Sequence, residues 1–480
     1  MLLPENMRRG FQVTAFDERE AIGGLWVPQD KTPPPPATPA TPLYPNLRTN
    51  GPHPVMTIPD FPVQPNTPLL APRASVLRYW QSVMDSTPLA PGTQVFLQHS
   101  VTRARWVGSE SSGEWHLTAR DLVYNTTRDF AFDHLLVAPG VNRIPRIPYL
   151  AGQDEWFKAG KTLMHCMWYR DTHIFDNKTV LVVGSGPSGL DLVRHSKRSA
   201  KKVFWSRSGN LDGPKFDPFP GVQDVPRLAN LTNGVVTLLN GTTLPEVDLV
   251  MLATGYNLHV PFLTAGGFLD EVDKSHSVDR LTTNSRYIHP LYEHTLSLDP
   301  RYPLGSLYFI SIMTYNPTGL TNYAQALFAA YTIADPSFLD SREELLEALS
   351  KREARIREIG RDPAVLGHRT NPGYGAFGGH LDAGPMQDLM VHSLRDRGLG
   401  GYPGIPTAGF NFTPTWHLYS YKHTIDIVEG WHARLEVEGD SWEADFVAGQ
   451  KTEADYLDSM RRFTEWWLAN KKNYTVPDTN

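Results

Sequence analysis

The sequence predicts an α/β fold built from two nucleotide-binding units, each a three-layer arrangement of helices on a parallel sheet, and two stretches carry this reading. The first is Thr179-Val-Leu-Val-Val-Gly184-Ser-Gly186-Pro-Ser188-Gly189-Leu190-Asp191, where a mostly β-branched run enters G-x-G-x-x-G and a helical pattern follows. Strand, tight turn and helix in that order form the Rossmann dinucleotide fingerprint. Gly184 lets the chain turn, Gly186 leaves no Cβ in the way of a diphosphate, and Gly189 lets helix and strand approach. The helix start supplies unpaired N–H groups and the positive end of its dipole. The second stretch is Phe11-Gln-Val-Thr-Ala-Phe16, a strand that closes on Asp17. The second strand of such a unit ends on an acid when it holds a ribose hydroxyl.

The remaining elements follow in chain order. Only ten residues precede Phe11, whereas the strand, loop and helix of a complete unit need about 30 residues. The chain is therefore expected to open inside its first unit, after the glycine loop, with Asn6–Gly10 as a helix tail and Gly10 as its C′ cap. Residues 28–45 are proline-rich and predict an extended loop. Ser75–Met84 has helical spacing, and Gln94–Asp121 alternates like hairpin strands. Phe132–Gly140, Lys201–Ser206, Val247–Ala253 and Ser306–Ile312 read as strands, and Asn322–Ile333 as a helix. Ser341-Arg-Glu-Glu344 is a capping box, opening a charged helix that stops near Gly360. Beyond residue 361 the pattern weakens, and only Tyr456–Leu468 predicts a helix.

Composition narrows the function classes. The 45 basic and 51 acidic residues leave a net charge of −6, which gives no footprint for nucleic acid. No apolar run approaches the roughly 18 residues of a membrane span. Met1–Arg9 lacks the apolar stretch of a secretory signal. Cys166, the single cysteine, excludes an internal disulfide. These features place the expected protein in the cytoplasm. The histidines show no metal-ligand spacing, and the acids between Glu343 and Glu358 read as a solvated helix face. His165 and Cys166 are sequence neighbours whose side chains tend to diverge, so they are not expected to act as a catalytic pair.

The strand after the glycine turn indicates which nucleotide binds there. An acid for a free ribose 2′-hydroxyl is expected about 20 residues past the glycines. Ser206-Arg207 stands there instead. A guanidinium pairs bidentately with a 2′-phosphate, so the coenzyme expected is NADP(H).

In combination these elements resemble the flavin-containing monooxygenases, a class B flavoprotein group, over residues 10–330 in order. Asp17 falls at the acid that holds the FAD ribose. Gly23-Gly24-Leu25-Trp26 matches the GGLW element. Leu43-Tyr-Pro-Asn-Leu-Arg-Thr49-Asn50, with Met56 and Asp60-Phe61-Pro62, matches the segment that brings a Thr-Asn pair to the flavin. Gly184–Gly189 matches the NADP loop, and Leu252-Ala-Thr254-Gly255-Tyr256 the ATGY element. Phe157–Tyr169 carries the family signature with one extra residue before Gly160 and another before His165, and Tyr169 favours the monooxygenases over the related Baeyer–Villiger enzymes.

The resemblance implies an FAD-binding domain over 1–150 plus 285–480, lacking its first strand and glycine loop, with an NADP-binding domain inserted over 151–284. It implies FAD and NADP(H) as cofactors, with Asp17, Gly24, Leu25, Trp26, Thr49, Asn50, Gly51, Gly184, Gly186, Ser188, Gly189, Ser206, Arg207, Thr254 and Gly255 as cofactor-binding residues. The implied activity is that of an N,N-dimethylaniline monooxygenase-like oxidoreductase. NADPH reduces FAD, O₂ forms a C4a-hydroperoxyflavin, and a nitrogen or sulfur nucleophile takes one oxygen. Asn50, whose amide can donate and accept at once, is the residue expected to act on the oxygen adduct. Baeyer–Villiger oxidation of a ketone and a non-catalytic NADP(H)-binding protein that has lost FAD are the alternatives. The expected partners are a small-molecule substrate and O₂; a homodimer is left open.

Overall fold

The computed structural model describes residues 7, 11–59, 61–87, 89, 91–207, 219–273, 277–316, 318–370 and 382–474. Apart from Met7, the expected helix tail Asn6–Gly10 lies outside them, as does Asp60. Met7 packs against the core around Leu320 and Phe328.

The first lobe opens on β1 (Thr14–Phe16), shorter than the strand expected from Phe11, and β1 pairs in parallel with β2 (Gln94–Phe96). Between them, α1 (Arg73–Ser86) buries Val76, Tyr79 and Val83 on one helical stripe. The expected hairpin has a third strand: β3 (His99–Gly108), β4 (Gly113–Asp121) and β5 (Thr127–Phe132) form an antiparallel meander. β6 (Leu135–Val137) follows directly.

The second lobe holds β7 (Thr162–His165), β8 (Thr179–Val183), α2 (Pro187–Ser196), β9 (Lys202–Ser206), β10 (Val222–Val225) and β11 (Leu249–Leu252). Its sheet runs β10-β9-β8-β11-β7 with every pairing parallel. Val180, Leu181, Val182, Leu249, Val250 and Met251 are all 0% exposed. That is why β8 and β11 read as unbroken apolar runs: both faces of a parallel sheet are covered.

The chain then returns to the first lobe. β12 (Leu291–Tyr292), β13 (Leu296–Ser297) and β14 (Leu307–Phe309) lie in the order β12-β13-β14-β6, and β14 runs parallel to β6. The helix expected at Asn322–Ile333 is α3 (Thr318–Ala334). The capping box at Ser341 and Glu344 forms in both directions and opens α4 (Arg342–Glu358).

The weakly patterned tail is largely helical: α5 (Thr415–Glu438), α6 (Ser441–Phe446) and α7 (Glu453–Tyr474). They pack around Trp431, Trp442 and Phe463, and Leu69 and Leu70 of the first lobe enter the same cluster. The tail thus buttresses the segment that leads into α1.

Candidate functional site

The glycine turn after β8 is built to leave amides open. Gly184 has φ +113°, and a Cβ there would lie 2.4 Å from the Ala253 carbonyl. A Cβ on Gly189 would lie 2.2 Å from the Gly184 carbonyl, so helix and strand meet backbone to backbone. Gly186 caps α2 with no side-chain hydrogen bond, and Pro187 fills the first helical position. Leu190 is the first residue whose N–H finds a helical acceptor, the Gly186 carbonyl at 3.1 Å. The N–H groups of Ser188 and Gly189 therefore point out of the helix start, as the geometry of helix termini dictates.

At the end of β9 the two expected phosphate ligands differ. Ser206 is buried; its hydroxyl donates to the Pro226 carbonyl at 3.0 Å and accepts from the Leu228 N–H at 3.1 Å. The side chain ties β9 to the segment after β10. Arg207 lies over the Trp205 ring at 4.3 Å and is ion-paired with Asp224. Sequence reasoning missed Trp205, whose Nε1–H donates to the Gly184 carbonyl at 2.8 Å and holds the turn against β9.

The first-lobe residues gather on the other side. Asp17 follows β1, and one carboxylate oxygen accepts the Arg19 N–H at 2.9 Å. Gly23 and Gly24 have φ +135° and +53°, turning the chain into Gly24-Leu25-Trp26. Arg73 of α1 donates to the Trp26 carbonyl at 3.3 Å and the Leu43 carbonyl at 3.2 Å, so one guanidinium fixes both ends of the proline-rich strap. The strap then runs to Thr49, which is buried and donates to the Gly51 carbonyl at 2.8 Å. Asn50 is exposed, and its amide has no hydrogen-bond partner among the described residues. Gly51 lies under α5, where a Cβ would come 3.7 Å from Thr424 Cγ2.

Side chains invisible to motif reading join the two halves. The Tyr44 hydroxyl donates to Asp191 of α2, and its ring packs edge-on against Tyr169, 5.1 Å between centroids. Trp168 Nε1–H donates to the Ala37 carbonyl at 3.2 Å, and Arg170 donates to Thr32 and to the Thr41 carbonyl, both at 2.7 Å. The stretch carrying the family signature is therefore the clamp on the strap. Its first extra residue falls where the short helix Gln153–Lys158 ends at Gly160, φ +74°. Tyr315, itself at φ +61°, brings its hydroxyl to 2.9 Å from where a Gly186 Cβ would sit.

His165 and Cys166 do touch, Sγ to Nδ1 at 3.8 Å, yet neither is poised for catalysis. His165 Nδ1 accepts the Met167 N–H and Nε2 donates to the Gly255 carbonyl, while burial pushes its pKa down to about 4. Burial pushes the Cys166 thiol up to about 11, so it stays protonated and unreactive. Thr254 donates to the Arg146 carbonyl, which leaves Gly255, φ +81°, to close the turn after β11. Among the described residues no group of three or more His, Cys, Asp or Glu could hold a metal, and no helix is long and apolar enough to cross a membrane.

The sequence pattern described as flavin-binding monooxygenase-like matches residues 5–211, which contain both the strap and the glycine turn. Over those residues the chain is similar to this family. It is also 28% identical over 292 residues to the thiol-specific monooxygenase of Saccharomyces cerevisiae, covering 60% of this chain and 63% of that protein. It is 30% identical over 298 residues to the senecionine N-oxygenase of Tyria jacobaeae, covering 60% of each. The chain thus spans about three-fifths of the length of these two relatives. Among solved structures, the S-allyl-L-cysteine S-oxygenase of Allium sativum superimposes with a TM-score of 0.70 at 20% identity, covering 96% of this chain and 94% of that one. That likeness carries the fold, with its two dinucleotide-binding domains.

The residues present can be set against the family's two cofactors. NADP(H) fits whole: a turn that a Cβ would fill, two outward amides and a guanidinium at the adjacent strand end. For FAD, the described residues that would hold it are Asp17, toward the ribose, and Thr49-Asn50, toward the flavin. Its diphosphate turn does not lie among the described residues.

Proposed function

We propose that this chain is an FAD- and NADPH-dependent monooxygenase that places one oxygen atom of O₂ on a soft nitrogen or sulfur nucleophile. One observation carries the reading. The helix start that leaves Ser188 and Gly189 amides open is fastened, through Tyr44 and Asp191, to the strap that presents the unspent amide of Asn50. The chemistry supplied by bound flavin is activation of O₂ after reduction by NADPH. The chain's own residues bind and position. The Ser188 and Gly189 amides would take the NADPH diphosphate, Arg207 would exchange Asp224 for its 2′-phosphate, and α5 covers Gly51 beside the exposed Asn50. Asn50 donates one hydrogen bond and accepts another at the reacting oxygen.

Three offered substrates test the reaction class. With NADPH and O₂, a dialkyl sulfide and a tertiary amine should yield sulfoxide and N-oxide, and a cyclic ketone should yield no lactone. Lactone alone would move the chain to the Baeyer–Villiger class.

Two substitutions test the assigned residues. Asn50→Ala should leave NADPH oxidation running while product per NADPH falls several-fold, because a neutral hydrogen bond is worth about 0.5–1.5 kcal/mol. Undiminished coupling, measured as product against peroxide released, removes Asn50 from the mechanism. Arg207→Ala should weaken NADPH binding about 10- to 100-fold, from the roughly 1.5–3 kcal/mol of a charge-assisted phosphate contact, and leave NADH binding within about two-fold. Equal losses for both coenzymes in a fluorescence titration refute the 2′-phosphate role.

A further inference from the structure

Three arginines gather around Tyr315, beside the Gly186 turn, and the coenzyme contacts proposed above use none of them. Tyr315 follows β14, holds φ +61°, is 40% exposed and turns its hydroxyl toward Gly186. Arg369 lies over its ring, with the guanidinium carbon 4.1 Å from the centroid. Backbone pairing fixes that stack. The Thr314 N–H donates to the His368 carbonyl at 3.0 Å and the Thr370 N–H to the Thr314 carbonyl at 3.1 Å, so Arg369 is bracketed alongside Tyr315. The same segment meets Arg286. A Cβ on Gly367, φ +67°, would lie 2.4 Å from the Arg286 carbonyl, and the His368 N–H donates to that carbonyl at 3.2 Å. His368 Nε2 accepts the Ile288 N–H at 2.8 Å, which locks the crossing from its other side.

Arg146 arrives with the turn after β11. Its N–H donates to the Gly255 carbonyl at 2.8 Å, its Nη2 to the Tyr256 carbonyl at 2.9 Å and its Nε to Asn257 at 3.2 Å. Like charges therefore meet in a half-buried place. Burial and the Arg286 charge push Arg146 down to about 10, and among the described residues no carboxylate acts on it in return. Burial and Arg361 push Arg369 down as well. Enclosed cations are ordinarily paired with an anion. A donor is left over at the same place: the buried Nδ2 of Asn316, next to Tyr315, has no hydrogen-bond partner among the described residues, although most buried donors have one.

We propose that Arg146, Arg286 and Arg369 form an oxyanion subsite at the edge of the glycine turn, which takes a carboxylate carried by the molecule to be oxidised. A guanidinium presents paired N–H donors that match the two oxygens of a carboxylate. The anions of the coenzyme are assigned elsewhere, the diphosphate to the Ser188 and Gly189 amides and the 2′-phosphate to Arg207. Arg286 and Arg369 belong instead to the lobe that carries Asn50, where oxygen would be delivered. That the bound molecule is oxidised rests on the monooxygenase reading; that it is an anion rests on the cluster alone.

Binding measured without turnover tests the subsite. The probes are methylthiopropanoate and its uncharged primary amide, which share a thioether and differ in the carboxylate, each titrated by calorimetry into the full chain with NADP⁺ present and no reductant. The acid should bind about ten-fold or more tightly than the amide, and the gap should narrow as salt is raised. Arg286→Gln, at an exposed position, and Arg369→Gln should each weaken the acid about ten-fold and leave the amide within about two-fold. Arg286→Glu should remove the preference for the acid altogether. Unaltered NADPH affinity in these variants reports that the glycine turn remains folded. An acid that binds no better than the amide, or not at all, overturns the proposal. So does a variant series in which NADPH affinity falls while the preference for the acid stays, which would give the guanidiniums to the coenzyme diphosphate. Turnover is read separately: an acid bound with preference and never oxidised keeps the subsite and removes the monooxygenase reading.

Discussion

Replacing Gly186 by alanine should weaken NADPH binding about 100-fold and leave the fold intact. Gly186 has φ −73° and ψ −179°, which any residue adopts, so the substitution brings no backbone strain. Its Cβ would meet one atom within 4 Å, the Tyr315 hydroxyl at 2.9 Å, at the tip of a side chain that is 40% exposed and free to give way. What the methyl blocks is the approach of a diphosphate to the Ser188 and Gly189 amides. Losing two charge-assisted hydrogen bonds costs about 3 kcal/mol, and each 1.4 kcal/mol is about ten-fold in affinity. The neighbouring glycines provide the contrast. Alanine at Gly184 or Gly189 drives a Cβ to 2.4 Å or 2.2 Å from a carbonyl oxygen and should cost stability before it costs affinity. A calorimetric titration of Gly186→Ala showing wild-type NADPH affinity would mean that the diphosphate does not lie on this turn.

What could be read in advance depended on how local its cause was. The strand, turn and helix over 179–196 were legible because every residue in them answers to a neighbour within a few positions: the β-branched run, the glycines, Pro187 at the first helical position. Counting placed Ser206 and Arg207 at the end of β9 but does not say which way each side chain turns: the Ser206 hydroxyl bonds the segment after β10, and Arg207 pairs with Asp224. Trp205, Trp168 and Arg170 were missed because their partners, the Gly184, Ala37 and Thr41 carbonyls, are distant in sequence or set by backbone direction. Helix α5 was missed because it is enclosed on several sides by α6, α7 and the first lobe. Its apolar and polar residues then form no single stripe.

Replacing Glu443 by alanine should loosen the strap from the helical tail beyond residue 361, in which motif reading predicted only Tyr456–Leu468 as a helix. Glu443 of α6 is 6% exposed, and both its oxygens are engaged: Oε1 with Arg48 Nη1 at 2.8 Å and Trp431 Nε1 at 2.6 Å, Oε2 with Arg48 Nη2 at 2.9 Å. Burial pushes its carboxyl up and Arg48 draws it back down, the balance expected of an enclosed ion pair. Arg48 also donates to the Leu70 carbonyl at 3.1 Å, and it stands two residues before Asn50. The alanine variant leaves that guanidinium with its 18% exposure and no carboxylate, a loss of about 3 kcal/mol, at the low end for a broken buried pair because some water still reaches Arg48. The consequence should be local before it is global. The Thr49 N–H bond to Ala71 and the His53 N–H bond to Leu69, both in the segment that Arg48 anchors, should exchange about 100-fold faster. Amides of β8 and β11 should not change. Product per NADPH should then fall in the direction set by Asn50→Ala, since the same amide is displaced instead of removed. Glu443→Gln keeps one oxygen, shared by Trp431 and one Arg48 nitrogen, but no charge for the guanidinium, and should recover only part of either loss. If exchange at Thr49 is indifferent to Glu443, the helical tail does not position the strap, and the coupling of oxygen to substrate must be set by the first lobe alone.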